Sequence, residues 1–322
     1  MRAIVVKELG GPEVMRISEV PDPQPKANEA VIKISKSGVN FIDVYFREGR
    51  YKAQLPFVLG QEASGTVVAV GSDVRSVKVG DRVAQTTVMG SYAELQAAPA
   101  EKLVKIPEGV SDQDAAAVML QGMTAHYLAY STYPLKKGES ALVHAAAGGV
   151  GLLLVQMAHN IGAQVIATVS TEEKANLARQ AGADEIILYT QQDFETETKR
   201  ITGGQGVDVV YDSVGKTTFE KGLNVLRPRG SMVLFGGSSG AVPPFDLIQL
   251  SQKGSLYVTR PKLGDYIASR AELEMRSGAV FEMIRTGKLK LRVEHTYPLA
   301  EAAQAHRDLE GRKTTGKILL LP

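Results

Sequence analysis

Cysteine is absent from this chain of 322 residues. Without a thiol, the protein can form no disulfide, use no thiolate nucleophile and build no iron–sulfur cluster or Cys-based zinc site. Its five histidines do not compensate, because none of them shows the HxH or HExxH spacing of a metal site. His144 follows a short apolar stretch, where a core histidine is expected, and His159 is expected on a helix surface. We therefore expect no catalytic metal.

Long apolar runs and an excess of one charge are also missing. No stretch is long enough to span a bilayer. The formal net charge of +2 gives no global attraction to nucleic acid or to an anionic membrane. Met1 to Val6 lead directly into Lys7 and Glu8, which indicates a strand and not a signal peptide. We therefore expect a cytoplasmic protein without a membrane or nucleic-acid partner, and its length favours two domains.

The first third of the chain alternates short apolar stretches with turn signals such as Gly10-Gly11-Pro12 and shows little helical period. The expected strands include residues 30–34, 63–70 and 82–85. This pattern predicts a small barrel-like β domain. A helix is expected to follow from Ser111 to about Tyr130, with Ser111 available as its cap.

One glycine-rich turn stands between a predicted strand, Ala141 to His144, and a predicted helix. Ala146-x-Gly148-x-x-Gly151 occupies the slots of the dinucleotide-binding fingerprint, with alanine in the first slot. Small residues there permit a tight turn, let a pyrophosphate approach the backbone and pack the helix on the strand. The helix N-terminus also offers free N–H groups to phosphate. The turn therefore predicts a dinucleotide site, and a plain tight turn is the alternative.

Strands and helices alternate from this region onwards. Six strands are expected, at Ala141–His144, Gln164–Val169, Glu185–Tyr189, Val207–Asp212, Ser231–Phe235 and Ser255–Thr259. The segments between them have helical spacing, which predicts a doubly wound parallel sheet. A long helix is expected near Asp265 to Arg285. The strands expected at Leu291–Val293 and Lys317–Leu321 come too late for this sheet, so we assign them to the first domain.

The end of the second strand of this sheet bears on cofactor choice. An NAD site usually places an acid there to bind the ribose hydroxyls. This strand ends at Val169-Ser170 without an acid, and Lys174 follows in the first helical turn, which suits a 2′-phosphate. Ser170 and Glu173 have the spacing of a capping box, so Glu173 has a structural explanation. We therefore expect NADP(H), with a solvated surface role for Lys174 as the alternative.

A resemblance to a known family runs from end to end of the chain. It rests on the motifs Gly10-Gly-Pro-Glu-Val14, Gly38-Val-Asn-Phe-Ile-Asp43, Leu59-Gly-Gln-Glu-Ala-Ser-Gly65, Val79-Gly-Asp-Arg-Val83, His144-Ala-Ala-Ala-Gly-Gly-Val-Gly151, Tyr211-Asp-Ser-Val-Gly215 and Tyr257-Val-Thr-Arg-Pro261. The chain resembles the zinc-independent NADPH:quinone oxidoreductases, the zeta-crystallin-like branch of the medium-chain dehydrogenase/reductase superfamily. The resemblance implies an α/β fold, with a GroES-like β-barrel catalytic domain over residues 1–124 and 261–322 and a Rossmann NADP-binding domain over residues 125–260.

The zinc-containing relatives of that family bind their metal through Cys, His and Cys. By the resemblance, the corresponding positions here are near Asn40, at Gln61 and at Gln121. The four-Cys structural lobe of those relatives has no counterpart between Val83 and Ser91. Composition and resemblance thus agree on a zinc-free enzyme.

The resemblance also implies cofactor contacts that spacing alone does not give. Lys174 and Tyr189 match positions at the adenosine 2′-phosphate, with Ser170 beside them, and Gly149 and Val150 match the pyrophosphate contact next to Gly148. Positions around the nicotinamide are matched by Asn40, Phe41, Tyr45 and Thr124. Further cofactor-lining positions are matched by Tyr127, Ser213, Phe235, Ser238, Val258 and Arg312.

The implied activity is NADPH-dependent reduction of a quinone or a similar conjugated carbonyl. Hydride transfer develops negative charge on a quinone oxygen, and hydrogen-bond donors can stabilise it. The candidate donors are Asn40, Tyr45, Tyr51 and Arg47. One alternative is reduction of α,β-unsaturated aldehydes or ketones, and another is a non-enzymatic NADPH- or RNA-binding protein of the crystallin type. The sequence leaves open one- or two-electron delivery, the physiological acceptor and the identity of any general acid.

A last expectation concerns assembly. Residues 255–260 follow the fifth parallel strand, alternate polar with apolar side chains and would lie at one edge of the sheet. Natural proteins cover or pair such edges, because an exposed edge leaves backbone groups unpaired. We expect a homodimer in which this strand pairs with its copy, as the resemblance also implies. The alternative is a monomer whose edge is covered by the helix expected near Asp265 to Arg285.

Overall fold

The computed structural model describes all residues from Met1 to Pro322. Its strands are β1 (Arg2–Val6), β2 (Met15–Glu19), β3 (Glu29–Val39), β4 (Phe57–Val58), β5 (Glu62–Val70), β6 (Arg82–Thr86), β7 (Leu95–Pro99), β8 (Val104–Lys105), β9 (Ser140–Val143), β10 (Gln164–Val169), β11 (Glu185–Leu188), β12 (Val207–Asp212), β13 (Leu226–Leu234), β14 (Tyr257–Thr259), β15 (Val293–Pro298) and β16 (Lys317–Leu321). Its α-helices are α1 (Phe41–Arg47), α2 (Asp112–Tyr127), α3 (Gly149–Ile161), α4 (Glu172–Gln180), α5 (Phe194–Ile201), α6 (Phe219–Asn224), α7 (Ile248–Gln252), α8 (Leu263–Tyr266), α9 (Arg270–Arg285) and α10 (Ala302–Glu310).

Backbone contacts divide the chain into two units. Unit 1 comprises Met1–Met123, Ile267–Gly287 and Leu291–Pro322, and unit 2 comprises Thr124–Tyr266 and Lys288–Lys290. Unit 1 is therefore assembled from three separate stretches of sequence. No helix in either unit is both long enough and apolar enough to cross a membrane.

Unit 2 contains the predicted parallel sheet. Its six strands lie in the order β11-β10-β9-β12-β13-β14, and every neighbouring pair is parallel. Numbered along the chain this order is 3-2-1-4-5-6, that of a doubly wound dinucleotide-binding fold, which confirms the predicted class. The central strands are buried apolar runs, and side chains such as Leu142, Ile166, Val210 and Met232 form one core cluster.

Unit 1 is built around a mainly antiparallel β structure, in which only β15 and β16 pair in parallel, and this confirms the barrel-like β domain. A seven-stranded sheet has the order β15-β16-β3-β5-β6-β8, with β7 paired to β3, and a separate three-stranded sheet has the order β2-β1-β4. The last strand of the chain, β16, pairs antiparallel with β3. One core cluster of this unit includes Ile4, Val39, Leu59 and Leu320, so the two ends of the sequence share one interior.

Helix α1 was not predicted, because its aromatic and β-branched residues favour strands in isolation. It begins after Asn40, and the carboxylate of Asp43, three residues on, accepts the backbone N–H of Asn40 at 2.9 Å. This bond is one half of a capping box, which is a sequence signature of a helix start. The expectation of little helical period in this region was therefore wrong for this short helix.

Other local expectations also differ from the structure. The long helix begins at Arg270 and not near Asp265, because Ser269 and Glu272 form its capping box. Helix α4 is capped by Thr171, whose hydroxyl accepts the backbone N–H of Lys174 at 3.3 Å, so the box expected at Ser170 was wrong. The strand expected at Leu291–Val293 is instead β15, which starts at Val293.

Candidate active site

The glycine-rich turn of unit 2 joins β9 to α3. Ala145 adopts a φ of +50°, and Gly148 is the N-cap of the helix. A Cβ on Gly151 would lie 2.8 Å from the Cα of Ala146 and closer still to the carbonyl oxygen of Ala145. Only glycine therefore lets the first turn of α3 pack this closely on the turn, which is the role expected of the third fingerprint position.

The start of α3 is suited to phosphate. The first N–H groups of a helix have no partner within it, and they carry the positive end of the helix dipole. Here they belong to Gly149, Val150 and Gly151, and no acidic residue lies in this first turn. A Cβ on Gly148 would lie 3.2 Å from the oxygen of Ala145, tight against the turn. The residues of this turn thus fit the pyrophosphate of a dinucleotide.

Most of the predicted cofactor residues of unit 2 follow the carboxyl ends of neighbouring strands. Ser170 follows β10, Tyr189 follows β11, Ser213 follows β12 and Phe235 follows β13. The Tyr189 N–H donates to Val169 at 3.1 Å, and the Ser238 N–H donates to Ser213 at 3.2 Å. Ligands of open α/β sheets bind at this edge, so the topology brings these residues to the expected place.

The region after β10 also has the charges expected for a 2′-phosphate. Lys174 is half-buried in the first turn of α4, and Tyr189 is exposed. Two acids, Glu172 and Glu173, precede Lys174 in this turn, and the carboxylate of Glu172 pairs with Arg179 at 2.7 Å. The guanidinium of Arg179 therefore offsets one of the two negative charges that disfavour a phosphate here.

Four predicted residues lie away from those strand ends. Tyr127 belongs to the core and not to an open surface, because its buried ring stacks on Tyr266 with centroids 4.3 Å apart. Thr124 is also buried on α2. Val258 lies within the edge strand β14, and Arg312 lies beyond α10 in unit 1 with a φ of +58°.

In unit 1, Asn40 is part of a buried polar cluster. Its amide nitrogen donates to Glu62 Oε2 at 2.8 Å and to the carbonyl of Gly38 at 3.3 Å. Its amide oxygen accepts from Lys317 Nζ at 2.8 Å and from Gln121 Nε2 at 3.2 Å. Both amide hydrogens are thus in use, so Asn40 positions this cluster and has no spare side-chain donor for a quinone oxygen, contrary to our expectation.

The same cluster allows a test of whether zinc would fit. Asn40 and Gln121 bond to one another, and the ammonium of Lys317 points at the amide oxygen of Asn40 and forms an ion pair with Glu62. Zinc needs thiolate, imidazole or carboxylate ligands around an unoccupied centre, whereas here a fixed cation already contacts the oxygens. No group of three or more His, Asp or Glu side chains is placed to hold a metal ion. The residues present do not fit zinc.

Arg47 was a candidate donor to the substrate, and the structure contradicts that role. Its guanidinium is fully buried and makes a two-pronged ion pair with Glu310, at 2.7 and 3.1 Å. It also donates to the carbonyl of Gly10 at 3.0 Å and contacts His306 Nδ1 at 3.0 Å. With these donors committed, Arg47 holds α1 to α10 and is not available to a quinone.

Tyr45 and Tyr51, the other two candidate donors, pack against one another. Their rings meet edge to face with centroids 5.5 Å apart, and the Tyr51 ring meets Phe46 in the same way. Tyr51 is 39% exposed, whereas Tyr45 is buried with Arg50 over its ring. Phe41 is the first residue of α1, the helix that contains Tyr45, and its ring is tilted against the Tyr45 ring. Of the four candidate donors, Tyr51 is thus the most accessible.

Sequence reasoning missed Asp43, Glu62 and Lys317. The Asn40-x-x-Asp43 spacing was a readable capping signal. Glu62 and Lys317 are buried and form an ion pair across 255 positions of sequence, which no local pattern reveals. Glu62 also accepts the backbone N–H of Leu120 at 2.6 Å, so its carboxylate joins β5, α2 and β16.

Comparison with known proteins finds a matching protein family for each of the two units. The family described as "Alcohol dehydrogenase GroES-like domain" matches residues 26–108, and the family described as "Zinc-binding dehydrogenase" matches residues 149–268. A quinone oxidoreductase of Pseudomonas aeruginosa is 47% identical over 97% of both chains. A 2-haloacrylate reductase of a Burkholderia species is 42% identical over 99% of this chain and 98% of its own.

A solved structure is similar over the full length of the chain. The quinone oxidoreductase of Escherichia coli, crystallised in complex with NADPH, has a TM-score of 0.98 and 45% identity and covers 100% of both chains. The fold described above agrees with this likeness. The chain therefore belongs to the zeta-crystallin-like quinone oxidoreductases of the medium-chain dehydrogenase/reductase superfamily.

Proposed function

We propose that this protein catalyses the NADPH-dependent reduction of quinones without a metal. The observation that carries the proposal is the full-length likeness to a quinone oxidoreductase solved with NADPH. The geometry supports it, since the turn before α3 fits a pyrophosphate and Lys174 follows the carboxyl end of β10. When bound, the nicotinamide supplies the reducing equivalents. Tyr51 and Tyr45 are the proposed hydrogen-bond donors to the quinone oxygen.

Steady-state oxidation of NADPH with a panel of acceptors tests this function. We expect turnover with 1,4-benzoquinone, undiminished after exhaustive chelation. A second candidate is favoured by the 42% identity to a 2-haloacrylate reductase, and 2-chloroacrylate and a 2-alkenal belong in the same panel. Higher kcat/KM for either alkene than for every quinone would replace the proposed substrate class, and loss of activity on chelation would contradict the metal-free assignment. The cytoplasmic location and the absence of a nucleic-acid partner stay predictions.

Replacing Lys174 tests the cofactor preference. A charge-assisted hydrogen bond to a phosphate contributes about 1.5–3 kcal/mol. Lys174→Ala should therefore raise the Kd for NADPH by about 10- to 100-fold and leave the Kd for NADH nearly unchanged. Fluorescence titration of both cofactors measures this, with Lys199→Ala on α5 as a control that removes an equally flexible helix lysine paired only with Glu195. Equal affinities of the wild type for NADPH and NADH would refute the preference.

The proposed assembly is a two-fold homodimer through β14. This strand ends the sheet, pairs only with β13 and has all three residues exposed, with Tyr257 64% exposed. Leu247 and Ile248, which precede it in sequence, are 73% and 55% exposed. An uncovered edge strand with the exposed side chains of Tyr257 and Val258 favours pairing with a second copy.

Light scattering at low micromolar concentration should give twice the 34.5 kDa of the single chain. Val258→Pro should shift the mass towards the monomer, because proline removes a backbone donor of the edge strand. Val258→Thr keeps that donor and the β-branched shape, so it should remain dimeric. A wild-type mass of 34.5 kDa would exclude the dimer.

A further inference from the structure

A hydrogen-bonded series of side chains in unit 1, buried except for Glu310, leads from α10 to the start of α1. Glu310 pairs with Arg47, and Arg47 lies 3.0 Å from His306 Nδ1. His306 Nε2 lies 3.1 Å from the hydroxyl of Tyr92, which donates to Asp43 Oδ2 at 2.9 Å. Asp43 Oδ2 in turn accepts the backbone N–H of Asn40 at 2.9 Å.

Every hydrogen bond of this series of side chains has a defined direction. A guanidinium has donors only, so His306 must accept from Arg47 through Nδ1. The single proton of a neutral imidazole is then on Nε2, from which it donates to the Tyr92 oxygen. Burial, reinforced by the Arg47 charge, lowers the pKa of His306 to about 3, which keeps the ring neutral. The hydroxyl hydrogen of Tyr92 is therefore directed at Asp43.

Among the charged side chains of this series and of the Asn40 cluster, Asp43 is the one without an ionic partner of its own. Arg47 is paired with Glu310, and Lys317 is paired with Glu62. Asp43 is fully buried, and its Oδ1 has no hydrogen-bond partner. As an ion it is stabilised chiefly by the Tyr92 hydroxyl and the Asn40 N–H, while Lys317 favours the charge and Glu62 opposes it.

We propose that Tyr92 and His306 are positioning residues for the reaction proposed above: with Arg47 they hold the ionised carboxylate of Asp43 on the backbone N–H of Asn40 and thereby fix the first turn of α1. This inference rests on the proposed function. The first turn of α1 contains Phe41, and Tyr45 follows one turn later with Tyr51 packed against it. A shift of the helix start would displace these aromatic side chains together.

The ionisation of Asp43 decides how firmly this turn is held. A carboxylate binds an N–H at a helix start more strongly than a neutral carboxyl does, because charge and helix dipole both favour it. Burial raises the pKa of Asp43 to about 7, and the hydrogen bonds from Asn40 and Tyr92 oppose that rise. The ionised carboxylate, which binds the Asn40 N–H most strongly, is present above this pKa and is lost as the pH falls through it.

The test is the pH profile of kcat/KM for NADPH oxidation by benzoquinone in the full-length enzyme. Tyr92→Phe keeps the ring against His306 and removes only the hydroxyl donor. Losing a hydrogen bond to a charged group should move the acid limb about one unit towards higher pH, with activity recovering above the new limb. Asp43→Asn cannot ionise, so this limb should disappear and activity should stay low throughout. His306→Phe should move the limb in the same direction as Tyr92→Phe.

Tyr297→Phe is the matched control. It removes another tyrosine–carboxylate hydrogen bond of unit 1, from Tyr297 to Asp308 at 2.9 Å, and should leave the limb in place. An acid limb that stays in place in Tyr92→Phe, or activity lowered equally at every pH, would overturn the inference and leave the network a purely structural one. A wild type that reduces no acceptor would instead refute the proposed function, and this inference with it. Thermal melting of each variant confirms that the folded protein is compared.

Discussion

Lys317→Met should lower the free energy of unfolding by about 3–5 kcal/mol, the usual cost of breaking a buried ion pair. The variant leaves Glu62 buried with no counter-charge, although it keeps its bonds from Asn40 and Leu120. Methionine retains the length and most of the volume of the lysine stem. The loss therefore measures the charge and not a cavity. Urea denaturation followed by circular dichroism gives the value.

The same C-terminal segment supplies the control for this experiment. Lys313 pairs with Asp308 at 3.7 Å, but its side chain is mostly exposed, so Lys313→Met should change stability by less than about 1 kcal/mol. The double variant Glu62→Gln/Lys317→Met removes both charges and should regain much of the loss. A Lys317→Met protein as stable as the wild type would show that this pair is not needed in the folded state.

Gly151→Ala should damage both cofactor binding and stability. The added Cβ would lie 2.8 Å from the Cα of Ala146, a backbone atom that cannot rotate away, so α3 must move off the turn. Such overpacking typically costs about 1–3 kcal/mol. Because the N–H groups proposed to bind the pyrophosphate move with the helix, the Kd for NADPH should rise on the order of 10- to 100-fold.

Gly278 on α9 provides the opposite case. A Cβ there would meet nothing within 4 Å, so Gly278→Ala should stabilise the helix by roughly 0.5–1 kcal/mol and leave NADPH binding unchanged. Calorimetric titration with NADPH and thermal melting of both variants measure the two effects. Wild-type affinity in Gly151→Ala would contradict the proposed place of the pyrophosphate.

Local patterns predicted the cofactor-binding unit well. The strands Gln164–Val169 and Val207–Asp212 have the predicted bounds, because buried parallel strands are short apolar runs bounded by turns. The strand-turn-helix with Gly148 and Gly151 was also readable, since its signal lies within one stretch of sequence. Helix α1 was missed because tertiary contacts and the Asn40–Asp43 cap outweigh the strand preference of its residues.

The polar interior of unit 1 was less predictable, because its partners are distant in sequence. Arg47 was expected to be a free donor, but the fold places Glu310, 263 positions later in the sequence, against its guanidinium. Asn40 was expected to be a donor to the substrate, but its amide nitrogen donates to Glu62 and its amide oxygen accepts from Lys317. A sequence shows that a charged or polar group exists, whereas the fold determines whether that group still has a hydrogen-bond donor or acceptor free for a substrate.

The pairing of β16 with β3 has a consequence for synthesis of the chain. The ribosome releases β3 and Glu62 early, and all of unit 2 follows before β16 emerges. Glu62 therefore has no lysine partner until Lys317, 255 positions later, has been made. Domains generally fold as they leave the ribosome, so unit 2 can complete first while unit 1 stays unfinished. A nascent chain that stops before Lys317 would contain all of unit 2 and lack β16, the strand that pairs with β3.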